Sequence, residues 1–247
     1  MFSTLFDSIG VMINNAYQKK INSCLSAIHQ IGFDLQSIKV KYGNENFLNS
    51  DVSKFELFNS VLSQELHSVH IDFLIKKCSL TYLKDKRTPF EYGIDLILGW
   101  ILEDAVYQKL YEAGFDLNLS GNDSQREFLA VKNISSQPDI QIQTIPPKSL
   151  EIFADWKGTW RKYGHADLRD NKFQSLKNKE AYLLGISPIN SEGFLIDFSS
   201  QSNLFEYVSA IWGYGNKPGY SCGSIKTQLK PLNETLSNLI ENLHKSS

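Results

Sequence analysis

The stretch Thr88–Gly114, TPFEYGIDLILGWILEDAVYQKLYEAG, constrains the fold of this chain more than any other. Pro89 suits a first helical turn, where a missing N–H costs nothing, and Gly114 suits the residue just past a helix end. Between them, the first half is apolar on nearly every side. The pattern predicts a central helix over about 90–113, packed from several directions. A chain of 247 residues has room to build one large domain round such a helix, or a domain with an appended subdomain.

Upstream, apolar residues recur at helical spacing over 2–31 (Phe2, Phe6, Ile9, Ile13, Tyr17, Ile21, Cys24, Ile28), and Gly32 closes that run. A second helix is expected over about 52–77 after the polar stretch NSDVSK, with Phe55, Phe58, Leu62, Leu66, Val69 and Phe73 on one stripe. Residues 1–88 thus read as a helical region for packing or dimerisation. Downstream, strands are expected near 115–119, 127–132, 139–145 and 150–157, then a helix near 168–179. Two further strands, AYLLGISPI and GFLIDFS, follow, and a last amphipathic helix covers about 231–244. Helices followed by a strand meander, a crossover helix and more strands give an α/β fold class with a mixed β-sheet flanked by helices.

No apolar run reaches the roughly 18 residues a membrane span needs. The opening MFSTLFDSIG has no basic segment and carries Asp7, against a secretory signal. Cys24, Cys78 and Cys222 are far apart and read as reduced thiols, so the expected location is cytoplasmic. Net charge is only −2, but its distribution is blocky. Residues 157–179 hold seven bases and two acids, between acid-rich stretches on either side. Such blocks either serve a phosphate-bearing ligand beside a metal or are solvated loops.

The chemistry concentrates in QPDIQIQTIPPKSLEIFADWK, residues 137–157. Alternation along a strand points Asp155 and Lys157 the same way. If the strand opened by Asp139 pairs with it, Asp139 and Asp155 converge at one edge. Two close carboxylates ask for a cation, and oxygen ligands with open positions suit Mg²⁺. A lysine beside them suits stabilising negative charge or an attacking water. The bland alternative is a surface ion pair at a strand end, with Asp139 in a turn.

Pro138-Asp139 followed by Asp155-Trp156-Lys157 resembles the PD-(D/E)xK nuclease signature, and the sixteen-residue spacing of the acids is similar to that of EcoRV-like type II restriction endonucleases. The motifs are short and the resemblance covers roughly 93–200. It implies a restriction-endonuclease-like core over 89–247, with Asp139 and Asp155 as metal ligands, Lys157 as catalytic base or charge stabiliser, and Glu103 on the central helix as an auxiliary acid. It also implies Mg²⁺, double-stranded DNA as substrate, a homodimer and a companion DNA methyltransferase. Trp156 departs from the family's usual small aliphatic residue. A repair or structure-specific nuclease, and a DNA-binding module without catalysis, are the alternatives.

DNA contacts are expected from two segments. In KGTWRKYGHADLRDNKF, Arg161, Lys162, His165, Arg169 and Lys172 can meet phosphates or base edges. In WGYGNKPGYSCGSIK, read as a Gly-rich loop, Asn216, Lys217, Tyr220 and Ser221 sit on a frame that lets a backbone approach closely. His67 and His70 lack the further ligands a zinc site needs and read as a half-buried helix face.

Overall fold

The structure, a computed structural model, describes residues 15–79, 87–121, 124–128 and 136–246. The expected helical residues 2–14, and 129–132 of one expected strand, lie outside these. Four helices precede the central one: α1 (Asn15–Ile31), α2 (Leu35–Tyr42), α3 (Lys54–Ser63) and α4 (Ser68–Ser79). Asp34 starts α2 by accepting from the Ser37 amide, and Ser53 starts α3 by accepting from that of Glu56. The single helix expected over 52–77 is therefore two. Gln64, in a left-handed conformation (φ 64°), ends α3, and its amide and that of Glu65 return to the last carbonyls of the helix. The break lets Leu66 plug the core between α3 and α4.

The central helix is α5 (Pro89–Glu112). Thr88 accepts from the Glu91 amide while Glu91 accepts from the Thr88 amide, a reciprocal cap. Ile94, Ile97, Leu98, Trp100, Ile101 and Leu102 are all buried, as the all-round apolar pattern requires. α1, α3 and α4 share one continuous core with α5 and one face of the main sheet.

That sheet has six strands in the order β1 (Leu117–Leu119), β2 (Ile140–Ile142), β3 (Lys148–Ala154), β5 (Tyr182–Ser187), β6 (Glu192–Asp197) and β9 (Lys230–Pro231). The first three form an antiparallel meander, β5 runs parallel to β3, and β6 and β9 are antiparallel additions. The chain is thus α/β with a mixed sheet flanked by helices. β5 is buried along its whole length, as a strand covered on both faces must be. Its residues alternate between two cores: Tyr182, Leu184 and Ile186 join the core of α1 and α5, while Leu183 joins a second one. Gly185 belongs to that second side, where a side chain would collide with the Phe194 ring, 2.1 Å from an added Cβ.

Between β3 and β5 come α6 (Thr159–Tyr163), β4 (Ala166–Arg169) and α7 (Asp170–Asn178). After β6 come α8 (Phe198–Gln201), β7 (Glu206–Ile211), β8 (Lys217–Cys222) and α9 (Ile225–Gln228), and after β9 comes α10 (Leu232–Lys245). β4, β8 and β7 form a second, three-stranded antiparallel sheet that covers the second core together with α7. The Gly-rich stretch expected to be a loop is therefore half strand. Its tip is one turn, Trp212–Asn216, and β8 follows at once. None of the described helices is long and apolar enough to cross a membrane.

Candidate functional site

The register of β2 and β3 decides which acids meet. Ile140 pairs with Leu150, Gln141 with Ser149 and Ile142 with Lys148. One step further, Asp139 stands opposite Glu151, and its Oδ2 accepts from the Ile152 amide at 2.8 Å. On the other side the Asp139 carbonyl accepts from the Ser120 amide at 2.7 Å, and the Pro138 carbonyl accepts from the Ser120 hydroxyl at 2.6 Å. The Pro-Asp pair is thus clipped to the end of β1. Directly opposed residues have Cβ atoms about 5 Å apart. Two carboxylates about 5 Å apart would repel by on the order of 3 kcal/mol at an effective dielectric of about 20. Lys172, in the first turn of α7, binds Glu151: its Nζ lies 2.9 Å from each Glu151 oxygen and donates to the Gln137 carbonyl at 3.2 Å. Lys179 also reaches back, donating to Oε1 of Gln137 at 2.6 Å.

Asp155 does not belong to this group. β3 ends at Ala154, so the strand expected to reach 157 stops short. Asp155 lies four residues beyond Glu151, or about 13 Å along an extended chain. Its carboxylate is buried and turned onto its own loop. Oδ1 accepts from the Lys157 amide (3.1 Å) and the Thr159 hydroxyl (2.9 Å), and Oδ2 from the Trp160 amide (2.9 Å). An aspartate followed by Gly158, which takes φ +66°, closes a turn and caps the next helix in preference to continuing a strand. Convergence of Asp139 with Asp155 would need the hairpin centred two residues later. The tight turn over Thr144–Pro147, in which the Thr144 hydroxyl donates to the Pro146 carbonyl at 2.7 Å, fixes it where it is.

Lys157 is likewise elsewhere. It is exposed and lies on the α1 side of the sheet. Burial lowers the pKa of Lys20 on α1; Asp95 opposes that shift, and Arg87 and Lys157 reinforce it. Trp156 packs beneath the same lysine, with Lys20 Nζ 5.0 Å from its ring.

Glu103 is drawn into a buried network beside α5. Arg126 binds Glu103 and Asp104, each at 2.6 Å, and Asp104 also accepts from Lys41 and from the Tyr42 hydroxyl, each at 2.6 Å. Burial works against the Arg126 charge, but Glu103 and Asp104 more than offset it and hold its pKa above the ordinary value. Burial, reinforced by Asp104, pushes the Tyr42 hydroxyl up, and burial pulls Lys41 down. Residues 124–128 are anchored by this network, by Lys54 donating to the Gln125 carbonyl (2.8 Å), and by Phe128 packing against Trp100 and Phe47.

The residues expected at DNA divide. Arg161 is exposed and ion-paired with Glu192, and Lys162 lies over the Tyr163 ring. His165 faces Asp167 at 3.7 Å, and the Arg169 guanidinium lies over Tyr214, 5.1 Å from its centroid. Asn216 and Lys217 are exposed at the β7–β8 tip, and Ser221 is half-buried. Tyr220 is a correction. Its ring stacks on Phe173, with centroids 3.7 Å apart, so it packs the second core rather than facing a ligand. Lys172 reaches Glu151 instead of standing in an outer basic patch.

Glu151 is the member that reading the sequence missed. The available signal was an acid inside the apolar strand SLEIFA, at a position that alternation buries. Among the described residues, no three or more His, Cys, Asp or Glu side chains cluster as a ready-made metal centre. Compared with family models, curated proteins and solved structures, the chain matches none.

Proposed function

We propose that this protein is a Mg²⁺-dependent endonuclease of the type II restriction kind, acting on double-stranded DNA through Asp139, Glu151 and Lys172. The observation that carries the reading is the opposition of Asp139 and Glu151 on neighbouring strands, with the Lys172 ammonium on Glu151. The order helix, antiparallel meander, helix, parallel strand, seen in α5, β1–β3, α7 and β5, is in keeping with the resemblance in the sequence.

The residues suit Mg²⁺, which binds through one or two carboxylates and keeps several waters. Asp139 and Glu151 would hold it, and when bound it supplies Lewis-acid polarisation of a phosphoryl oxygen and a more acidic water. Asp139 is oriented for that task by the Ile152 amide; Ser120 holds Pro138-Asp139, and Lys172 and Lys179 hold the preceding Gln137. Lys172 takes the part that the resemblance assigned to Lys157. Its ammonium offsets the repulsion of the acids and stabilises negative charge on a phosphate entering beside them. Phe153 occupies the strand position two residues past Glu151, so no lysine comes from the strand itself. Asp155 shapes the turn into α6. A homodimer cutting both strands of a two-fold site, and a companion methyltransferase, belong to the same reading.

The test is plasmid cleavage in Mg²⁺ against EDTA. Discrete bands that vanish with EDTA and with Asp139→Asn support the reading. Nicking or a smear favours a repair-type nuclease. Binding without cleavage in either condition rejects catalysis.

A further inference from the structure

The tip between β7 and β8 presents an indole in an unusual way. Trp100 and Trp160 are buried and Trp156 is packed under Lys20, but Trp212 is 87% exposed. Its support is rigid. The Gly215 amide returns to the Trp212 carbonyl (3.1 Å) and that of Asn216 to the Ile211 carbonyl (3.0 Å). Gly215 and Asn216 take φ of +70° and +59°, which makes the turn tight. Ile211 is buried, and the Tyr214 hydroxyl donates to the Asp167 carbonyl at 2.6 Å. Trp212 is the one aromatic of the tip left outward.

Two cations stand by the tip. Lys217 follows the turn directly and Arg169 covers Tyr214, whose hydroxyl is held by the Asp167 carbonyl; Glu206 lies at the far end of β7, opposite Ser221. Three residues after Arg169, Lys172 bridges Glu151. The tip extends past the Arg169 end of the small sheet, the end from which α7 and Lys172 start. A flat π-face backed by Lys217 and Arg169 suits a base with its phosphate, and stacking on an aromatic is indifferent to which base it is.

We propose that Trp212 stacks on a nucleobase of the DNA held at the Asp139–Glu151 site, with Lys217 and Arg169 on the adjacent phosphates. This deepens the nuclease reading and rests on it for the substrate. The indole acts as a wedge or platform that fixes the strand relative to the carboxylates.

The test uses full-length protein in EDTA, so that binding is read without cleavage, and titrates it with a mixed-sequence duplex oligonucleotide and with its single strand. Wild type is expected to lose tryptophan fluorescence on binding. Trp212→Ala is expected to lose that quench and to bind about tenfold more weakly, while Trp212→Phe keeps most of the affinity. Because the side chain is exposed, both variants should melt with wild type. Trp212→Ala binding as tightly as wild type, or wild type binding no DNA, overturns the proposal. Quenching and binding without cleavage in Mg²⁺ keep the stacking role and reject the nuclease reading. Cleavage with unaltered binding by Trp212→Ala rejects only the stacking role.

Discussion

Two groups of buried charge flank the sheet, and they are built differently. Around Asp104, Arg126 (from residues 124–128) and Lys41 and Tyr42 (from α2) converge on a carboxylate of α5. The Asp104 side chain is 1% exposed and that of Arg126 2%. Around Glu151, the partner is a lysine whose side chain is 23% exposed, against a carboxylate that is 11% exposed, with a second carboxylate standing opposite. The first arrangement closes on itself and joins three parts of the chain. The second lies nearer the surface, with Asp139 and Lys172 both half-buried. On the nuclease reading, burial alone does not mark the site; a like-charged pair that stays partly exposed does.

The largest effect should come from breaking the closed group. Arg126→Met leaves two buried carboxylates without their guanidinium and should destabilise the fold by about 3–5 kcal/mol, read by urea denaturation. Whatever remains folded should still cut DNA. The open group should behave the opposite way. Asp139→Asn or Glu151→Gln should lower cleavage by about a hundredfold or more, with a melting temperature close to wild type. If both variants cut normally, the site is misassigned.

Asp155→Ala separates the two roles considered for that residue. As a cap it should cost about 1–2 kcal/mol of stability and leave cleavage intact at low temperature; complete loss of cutting in a folded variant would restore it as a ligand. The smallest effect is a slope. The Tyr42 hydroxyl is held above its ordinary value of 10.0, so the unfolded chain loses that proton first as pH rises. Its contribution is complete below pH 10 and declines above it. Tyr42→Phe should flatten the alkaline fall in stability, followed by thermal melting between pH 9 and 11, roughly a unit either side of the tyrosine range.

Much of the fold was legible. The all-round apolar pattern of α5, its Thr88-Pro89 start, the strands near 115–119, 139–145 and 150–157 and the amphipathic last helix each have a local physical cause, and the structure contains them; residues 127–128 of the strand expected near 127–132 are not strand. The register of β2 against β3 was not. Ile140 would be buried opposite either Leu150 or Ile152, so the hydrophobic pattern tolerates a two-residue shift, and only the turn at Thr144–Pro147 selects the pairing. Facing Asp139 with Asp155 would take twice that shift, with Ile140 opposite Ala154. The strands β7 and β8 were hidden for another reason: glycine and proline inside Lys217–Cys222 read as loop, yet β8 is held by strands on both sides and by Tyr220 stacked on Phe173. Lys172 was legible as a base but not as a neighbour of Glu151, because 21 residues separate them.

Arg169 ends β4 and Lys172 lies in the first turn of α7, so one short stretch of backbone touches both Tyr214 of the hairpin tip and Glu151 of the acid pair. Covalent spacing, not adjustable packing, then sets the interval between them. Such a stretch works as a ruler. On the nuclease reading, the bond that is cut falls a constant number of nucleotide steps from the base met by the hairpin, whatever the sequence in between.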